Sequence, residues 1–191
     1  MPLRLACAAD GDALAAIYAP MVATSAASFE LIPPTGEDMA TRVVETVTRY
    51  PWLILEEGGT VVGYAYAHGF HTRAAYDWSV ETSIYVHRDR WRTGAGRTLY
   101  TALLACLREQ GYWRAIAGIT LPNPASVGLH ERLGFRPIGV YHRIGWKFAS
   151  WHDVGMWELD LRPDHGAIPA PPTPIGDLDP EVVRRVCQGG A

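Results

Sequence analysis

The sequence has few cysteines and no long apolar run, and both absences restrict what the protein can be. Its three cysteines, Cys7, Cys106 and Cys187, lie far apart, which favours neither a disulfide framework nor a zinc knuckle. Such usage is typical of a reducing cytoplasm. No window approaches the run of about 18 to 20 apolar residues that a transmembrane helix needs. The first residues also lack the apolar core of a secretion signal. We therefore expect a cytoplasmic protein.

The chain also lacks an excess of positive charge. It carries 17 basic and 20 acidic residues, a formal net charge of -3, whereas a general nucleic-acid binder is usually basic. We expect neither a nucleic-acid partner nor membrane association. His68 and His71 stand three apart without companion ligands, so no metal site is expected. With 191 residues, of which 48% are hydrophobic, the chain is long enough for one domain with a real core.

Hydrophobic patterns predict a domain that mixes strands and helices. Two amphipathic stretches near the N-terminus are typical of helices, and "WLILEE", Gly58-Gly59 and "TVVGYAYA" form a strong hairpin pattern. The segments "DWSVETSIYV", "RAIAGITL" and "ASFELI" also have strand patterns, and two more strands are expected near 137 to 148 and 153 to 161. The predicted fold is α/β (α+β), with a central mixed, mostly antiparallel sheet flanked by helices.

The C-terminal part of the chain differs in composition from the rest. Residues 163–191 contain "PDHGAIPAPPTPIGDLDPE", which is rich in proline and poor in residues that build a core. We therefore assign the globular domain to residues 1–162 and expect residues 163–191 to form a loose, proline-rich extension.

Residues 89–100, "DRWRTGAGRTLY", combine a glycine-containing turn with several arginines. The turn follows a predicted strand and opens a predicted helix. Free N–H groups at a helix N-terminus can bind an anion, and glycines let that anion approach. The same glycines are consistent with a simple strand-to-helix turn. Neither the nucleoside-triphosphatase loop G-x-x-x-x-G-K-[ST] nor the full dinucleotide pattern G-x-G-x-x-G is present.

Two longer segments make the pattern more specific. "IYVHRDRWRTGAGRTLYTALL" followed by "LPNPASVGLHERLGF" resembles the core segments of the GNAT acetyltransferase superfamily. "RYPWLILEE", "AAYDWSVETSIYV" and "KFASWHDVGMWELDL" are similar to its phosphinothricin and methionine sulfoximine N-acetyltransferase branch. The resemblance covers roughly residues 3 to 161. It implies a GNAT-like domain, a homodimer, and direct transfer of an acetyl group from acetyl-coenzyme A to the α-amine of a small amino acid analogue, without a metal.

The resemblance also implies where the cosubstrate binds. Backbone amides of the glycine turn would hold the pyrophosphate, a nearby arginine would add charge, and the preceding strand and the later helix would contact the pantetheine arm. Asn123, before Pro124, is also a typical helix N-cap. Trp91 departs from the family, which usually has Gln or Arg at that position. The expected cofactor-binding residues are Ile84, Tyr85, Val86, Arg92, Thr93, Gly94, Ala95, Gly96, Arg97, Asn123 and Ser126.

Two residues are candidates for the catalytic chemistry. Acyl transfer to an amine needs a base for the amine and a proton for the departing thiolate. Glu81 is an acid at mid-strand, and the strand pattern alone fits an exposed carboxylate as well as a base. His130 is the one histidine on its helix, and such a residue is more often structural than catalytic. The resemblance makes Glu81 the general base and implies that His130 serves the thiol or positions substrate.

The resemblance implies that Arg73 and Tyr76 lie beside the acceptor, and Phe29 is expected to form a wall of the same site. An arginine can hold a carboxylate or phosphinate through two parallel hydrogen bonds, although Arg73 also fits a solvated loop charge. Two alternatives stay open. The protein could acetylate another small amine or amino acid, or it could be a non-catalytic sensor that binds acyl-coenzyme A. The presence of both Glu81 and His130 disfavours the sensor.

Overall fold

Seven strands and five α-helices make up the part of the chain that the structure, a computed structural model, describes: residues 1–162 and 169–189. The strands are β1 (Leu3–Leu5), β2 (Trp52–Glu57), β3 (Thr60–Gly69), β4 (Ser79–Val86), β5 (Arg114–Leu121), β6 (Arg136–Lys147) and β7 (Ser150–Asp160). The helices are α1 (Gly11–Thr24), α2 (Gly36–Thr46), α3 (Ala95–Gln110), α4 (Pro124–Arg132) and α5 (Pro180–Cys187). None of these helices has both the length and the apolar character needed to span a membrane.

The strands form one sheet in the order β1-β2-β3-β4-β5-β7-β6. Every neighbouring pair is antiparallel except β4 and β5, which run parallel. The expected mixed, mostly antiparallel sheet is therefore confirmed. The expected hairpin joins β2 and β3, where Gly58 and Gly59 have φ values of +57° and +81°. Two consecutive positive φ angles are what a tight hairpin turn of this kind requires, and glycine adopts them without strain.

Helices cover both faces of the sheet. Leu53 and Leu55 of β2 belong to a core that includes α3, whereas Trp52 and Ile54 belong to a second core with α1 and α2. Successive strand residues point to opposite faces, so a strand buried on both faces reads as a continuous apolar run. The run "WLILEE" has this property, and it identifies β2 as a strand inside a three-layer arrangement.

The parallel pair β4–β5 is short, and this shapes the middle of the sheet. Its register extends only from Ser79↔Arg114 to Glu81↔Ile116. Beyond that point β4 stays paired with β3 as far as Val86, while β5 stays paired with β7 as far as Leu121. The two strands therefore separate after Glu81, and beyond that residue their facing edges no longer pair with each other. We call this opening the split.

The segment "ASFELI" is not a strand, so that prediction is wrong. Its backbone groups form hydrogen bonds with side chains rather than with a neighbouring strand. Lys147 Nζ donates to the Ser28 carbonyl at 2.7 Å, and the Glu30 N–H donates to Ser28 Oγ at 3.1 Å. The alternation of polar and apolar residues could not reveal these partners, because Lys147 lies 119 residues from Ser28.

The C-terminal residues 169–189 differ from the expected loose extension, while 163–168 and 190–191 lie outside the described residues. The Thr173 N–H donates to the Gln110 carbonyl at 2.7 Å, and the Gln110 side chain donates back to the Thr173 carbonyl at 2.8 Å. Ile175 and Val186 are buried in the same core as α3. A few well-separated apolar residues are thus enough to dock this segment, although its composition is poor in them.

Removing the Ile175 side chain tests whether the docked segment contributes to stability. Ile175 is 2% exposed, so Ile175→Ala should cost about 2 to 4 kcal/mol in the free energy of unfolding, measured by urea titration. Ile32→Ala makes the same chemical change at an 81% exposed position and should cost less than about 0.5 kcal/mol. Equal small effects would show that the segment does not hold its docked position.

Candidate active site

Glu81 lies where β4 and β5 separate. A Cβ at Gly118 of β5 would stand 3.6 Å from Glu81 Oε1, and equally close to Met156 and Val154 of β7. Gly118 is exposed, and its missing side chain leaves room beside the carboxylate. The Glu81 carboxylate is therefore half-buried at the closed end of the split, with open space over the neighbouring strand.

Phe29 lies on the same face of the sheet as Glu81. His152, Val154 and Met156 alternate along β7 and therefore share one face. The Phe29 ring centroid is 6.1 Å from that of His152, and a Cβ at Gly145 would come within 2.2 Å of the Phe29 ring. An acidic group and an aromatic wall thus border one surface that includes Gly118.

Thr82, the residue after Glu81, points to the opposite face and begins a buried polar chain. Thr82 Oγ1 lies 2.6 Å from the Tyr100 hydroxyl, and the same hydroxyl lies 3.0 Å from His130 Nε2. His130 Nδ1 lies 2.8 Å from the Ser126 carbonyl, which can only accept. Nδ1 therefore donates, and Nε2 of the neutral ring accepts from Tyr100.

Burial determines the protonation states of His130 and Tyr100. His130 is 3% exposed and Tyr100 is fully buried. Desolvation disfavours charge, so it lowers the pKa of His130 and raises the pKa of the Tyr100 phenol. Both residues are held in their neutral forms.

The two catalytic candidates lie on opposite faces of β4, and Tyr100 stands between them: burial and then the nearby Glu81 carboxylate raise its pKa, and it is hydrogen-bonded to His130. Glu81 and Thr82 are adjacent strand residues that face opposite sides, and His130 lies on the Thr82 side with both ring nitrogens engaged. A role for His130 at the thiol stays a prediction. Sequence reasoning missed Tyr100 and Thr82, since an aromatic at core spacing on a helix and a hydroxyl on a strand have no special pattern.

The glycine turn meets β4 and α4 at the open end of the split. Gly94 has φ +93°, and the non-glycine Arg92 also has a positive φ of +63°. A Cβ at Gly96 would lie 3.4 Å from Leu129, 3.7 Å from Ile84 and 3.9 Å from Val86. The amides of the first α3 turn lack an intrahelical acceptor. The free backbone N–H groups at the start of α3 therefore lie next to both β4 and α4.

The side chains around this turn have different partners. Trp91 Nε1 donates to the Val86 carbonyl at 2.9 Å and so ties the turn to the end of β4. Arg90 forms a salt bridge with Glu57. Arg97 lines a separate cavity of about 310 Å³ against β1 and α5. Arg92 is exposed and takes part in no salt bridge within residues 1–162 and 169–189.

Asn123 and Ser126 occupy the first turn of α4. Asn123 Oδ1 accepts from the Ser126 N–H at 3.1 Å, so the expected N-cap is confirmed. Pro124 follows as the first helical residue, where its missing N–H costs nothing. The expected contacts of Asn123 and Ser126 with a ligand stay predictions.

Arg73 and Tyr76 lie on the connection between β3 and β4. Together with His71 and Thr72 they line an open groove of about 340 Å³, and the rings of His71 and Tyr76 pack edge to face at 4.9 Å. The neighbours of Phe29 come instead from β6 and β7, so these expected acceptor residues occupy two separate environments. Across the described ranges, no group of three or more His, Cys, Asp or Glu side chains is arranged to hold a metal ion.

Comparison with known proteins gives a consistent result. The family model described as the acetyltransferase (GNAT) domain matches residues 3–157. A phosphinothricin N-acetyltransferase from Streptomyces viridochromogenes is 41% identical over 173 residues, which is 91% of this chain and 92% of that protein. An L-methionine sulfoximine/L-methionine sulfone acetyltransferase from Pseudomonas aeruginosa is 35% identical over 170 residues, 86% of this chain and 97% of that protein.

The fold comparison agrees. The crystal structure of a GNAT superfamily phosphinothricin acetyltransferase from Sinorhizobium meliloti in complex with AcCoA superposes with a TM-score of 0.84 and 34% identity. The match covers 88% of this chain and 92% of that chain.

The buried imidazole predicts a specific pH dependence of stability. Because the pKa of His130 is lowered by folding, the unfolded chain binds its proton first, and stability falls as pH drops below about 6.5. From about pH 6.5 down to the lowered pKa of the folded state, this one group contributes a slope of at most about 1.4 kcal/mol per pH unit. His130→Gln should have a correspondingly shallower slope in urea titrations, since the other histidines are common to both proteins. Identical slopes would contradict a buried neutral His130.

Proposed function

Because the chain belongs to the GNAT acetyltransferase family and uses acetyl-coenzyme A as acyl donor, we propose that its acceptor is the α-amine of a small amino acid analogue of the phosphinothricin or methionine sulfoximine type. One observation carries the proposal: Glu81, a half-buried carboxylate, lies at the closed end of the split. The glycine turn and its helix N-terminus lie at the open end of that split. The names of the relatives support the acceptor class.

The split suits the donor substrate. The pantetheine arm contains peptide-like amides, which can pair with the main-chain groups of Ile84 and Val86 that face away from β3, while Tyr85 between them directs its main-chain groups towards β3. The backbone amides of residues 93–97 would hold the pyrophosphate, with Arg92 as the nearby cation. Trp91 would act by fixing the turn to β4, because its indole N–H is already donated to the Val86 carbonyl.

In the proposed reaction Glu81 accepts a proton from the acceptor ammonium, directly or through water. The free amine attacks the thioester carbonyl, whose oxygen becomes the oxyanion. Collapse of the intermediate breaks the carbon–sulfur bond and releases the thiolate, which takes up the second proton that the attacking nitrogen loses as it becomes an amide. No acyl-enzyme is involved: burial raises the pKa of Cys106 to about 12, Cys187 lines the cavity next to α5, and Cys7 follows β1, which β2 and β3 separate from β4 in the sheet.

His130 remains the second catalytic candidate, and its surroundings limit how it can act. Its Nε2 accepts from Tyr100, and Tyr100 in turn contacts Thr82 beside Glu81. To protonate the thiolate, His130 would have to open its bond to Tyr100 or pass the proton through that hydroxyl. Asn123 and Ser126 would then contact the pantetheine arm at the start of α4.

For the acceptor, we propose that Phe29 forms a wall beside Glu81 and that Arg73 and Tyr76 bind the acidic groups. Arg73 is exposed, and a guanidinium presents two parallel donors that suit a carboxylate or phosphinate. Another small amine or amino acid is the alternative acceptor, since the β3–β4 groove is open. A non-catalytic sensor is the second alternative.

We further propose a homodimer, a boundary at residue 162 between the catalytic domain and its extension, and a cytoplasmic location. Strand β6 is an edge strand with a row of exposed apolar side chains, a feature that proteins usually cover. The exposed residues of β6, β7 and their turn are Ile138, Val140, Tyr141, Ile144, Trp146, Phe148 and Trp151. Free thiols at all three cysteines support a reducing compartment.

The test is thiol release from acetyl-coenzyme A against a panel of amino acids and their phosphinate, sulfone and sulfoximine analogues. We expect turnover with at least one zwitterionic analogue. Glu81→Gln should lower kcat by about 100-fold or more, because general base catalysis typically contributes a factor of about 10² to 10⁴. The Kd for acetyl-coenzyme A, measured by calorimetry, should change little.

Glu57→Gln is the matched control, since this surface carboxylate pairs with Arg90 outside the split. It should retain wild-type kcat. Failure of the wild-type enzyme with every amine in the panel would overturn the proposed function. Undiminished turnover by Glu81→Gln would remove Glu81 from its role as the base.

A further inference from the structure

Lys147 is the one lysine among 191 residues, and it is buried. It ends β6 with 4% of its surface exposed, and its Nζ donates to the Val22 carbonyl at 2.6 Å and the Ser28 carbonyl at 2.7 Å. Burying an ammonium is unfavourable unless its donors find acceptors. Val22 lies in the last turn of α1, where free carbonyls favour a cation. The two bonds therefore join β6 to α1 and to the segment of residues 25–30.

The peptide units on both sides of Phe29 are anchored. On one side, Lys147 holds the Ser28 carbonyl. On the other, Arg42 holds both Glu30 carboxylate oxygens, at 2.8 and 3.1 Å, and the Tyr18 hydroxyl donates to the same carboxylate at 3.0 Å. With its neighbours fixed, the Phe29 side chain has little freedom to move away from Gly145.

The main chain after Lys147 forms the other side of the Phe29 surroundings. After Lys147 the chain turns through Phe148 and Ala149, whose φ values are +52° and +54°. Non-glycine residues adopt such angles only when their surroundings hold them. His152, which follows the turn, lies 3.0 Å from the Lys147 carbonyl through Nε2 and packs near Phe29. The Lys147 side chain thus fixes the segment that carries Phe29, while its main-chain carbonyl contacts the hairpin residue against which Phe29 rests.

We propose that Lys147 is a positioning residue for the acceptor: by holding the Ser28 carbonyl it sets the Phe29 ring against Gly145, on the face that contains Glu81. The inference rests on the proposed function only in taking this face as the acceptor side. Acetyl-coenzyme A would bind at the split and the glycine turn. Loss of the lysine should therefore affect the acceptor and spare the acyl donor.

Lys147→Met keeps the length of the side chain and removes its donors. We expect the acceptor KM to rise about tenfold, because a displaced positioning group weakens binding of the ligand it contacts. The KM for acetyl-coenzyme A should stay within about twofold of wild type. Gly145→Ala should give the same selective change with Lys147 intact, since its Cβ would lie 2.2 Å from the Phe29 ring and force it to move.

Arg108→Met is the matched control. Arg108 also donates to a backbone carbonyl, that of Leu161 at 3.3 Å, but on α3 near the docked C-terminal segment. It should lower the melting temperature without changing the acceptor KM. If Lys147→Met does no more than this control, or raises both KM values equally, the positioning role is wrong. In the double variant Lys147→Met/Phe29→Leu, the acceptor KM should not exceed that of the worse single variant by more than about twofold, and fully multiplicative effects would contradict the proposal.

A second measurement separates this inference from the proposed function. Reductive methylation with formaldehyde and a borohydride can modify only Lys147 and the N-terminal amine, so mass spectrometry follows both directly. Lys147 should react at least about tenfold more slowly, because its donors are engaged and its surface is buried. If the wild-type enzyme acetylates no acceptor, the proposed function fails on that result alone. Rapid methylation of Lys147 would overturn the positioning role whatever the activity.

Discussion

The site depends on the short parallel contact between β4 and β5. Three residue pairs hold the strands together, and the last of them includes Glu81. Where the ladder ends, the Thr82 hydroxyl lies 3.1 Å from the Ile116 carbonyl and 2.6 Å from the Tyr100 hydroxyl. Since β3 and β7 continue to pair with the outer edges of the two strands, the sheet keeps its integrity while its middle opens. The glycine turn, α3 and α4 follow directly from the strands that border this opening.

Strand alternation then divides the site into two chemically different sides. Glu81 faces the surface that carries Phe29, where Gly118 leaves space for a substrate. Thr82 faces the core under α3, where Tyr100 and His130 form a fully engaged, uncharged hydrogen-bond chain. The two sides meet only at the closed end of the split. Glu81, the proposed proton acceptor, and His130, the candidate proton donor to the thiol, thus lie on opposite sides of β4.

Local patterns predicted the elements whose causes are local. The hairpin at Gly58-Gly59 and the Asn123 cap follow from residues within a few positions of one another, and the individual strands follow from their own apolar patterns, whereas the parallel pairing of Ser79 with Arg114 joins distant parts of the chain. The conformation around Phe29 could not be predicted in this way, since a lysine from the far end of β6 satisfies its backbone. Nor could burial of His130, which depends on Tyr100 from another helix, or docking of Ile175, whose hydrogen-bonded neighbour is Arg49. These features arise from contacts between distant parts of the chain.

Amide hydrogen exchange with and without acetyl-coenzyme A tests the central claim most directly. If the split is the donor site, exchange should slow by about tenfold or more in peptides that cover 84–86 and 93–97, as occupied donors exchange less. Peptides from the β1–β2 edge should be unaffected. Protection confined to the cavity between β1, α3 and α5, or binding without any change at 84–86, would contradict the account.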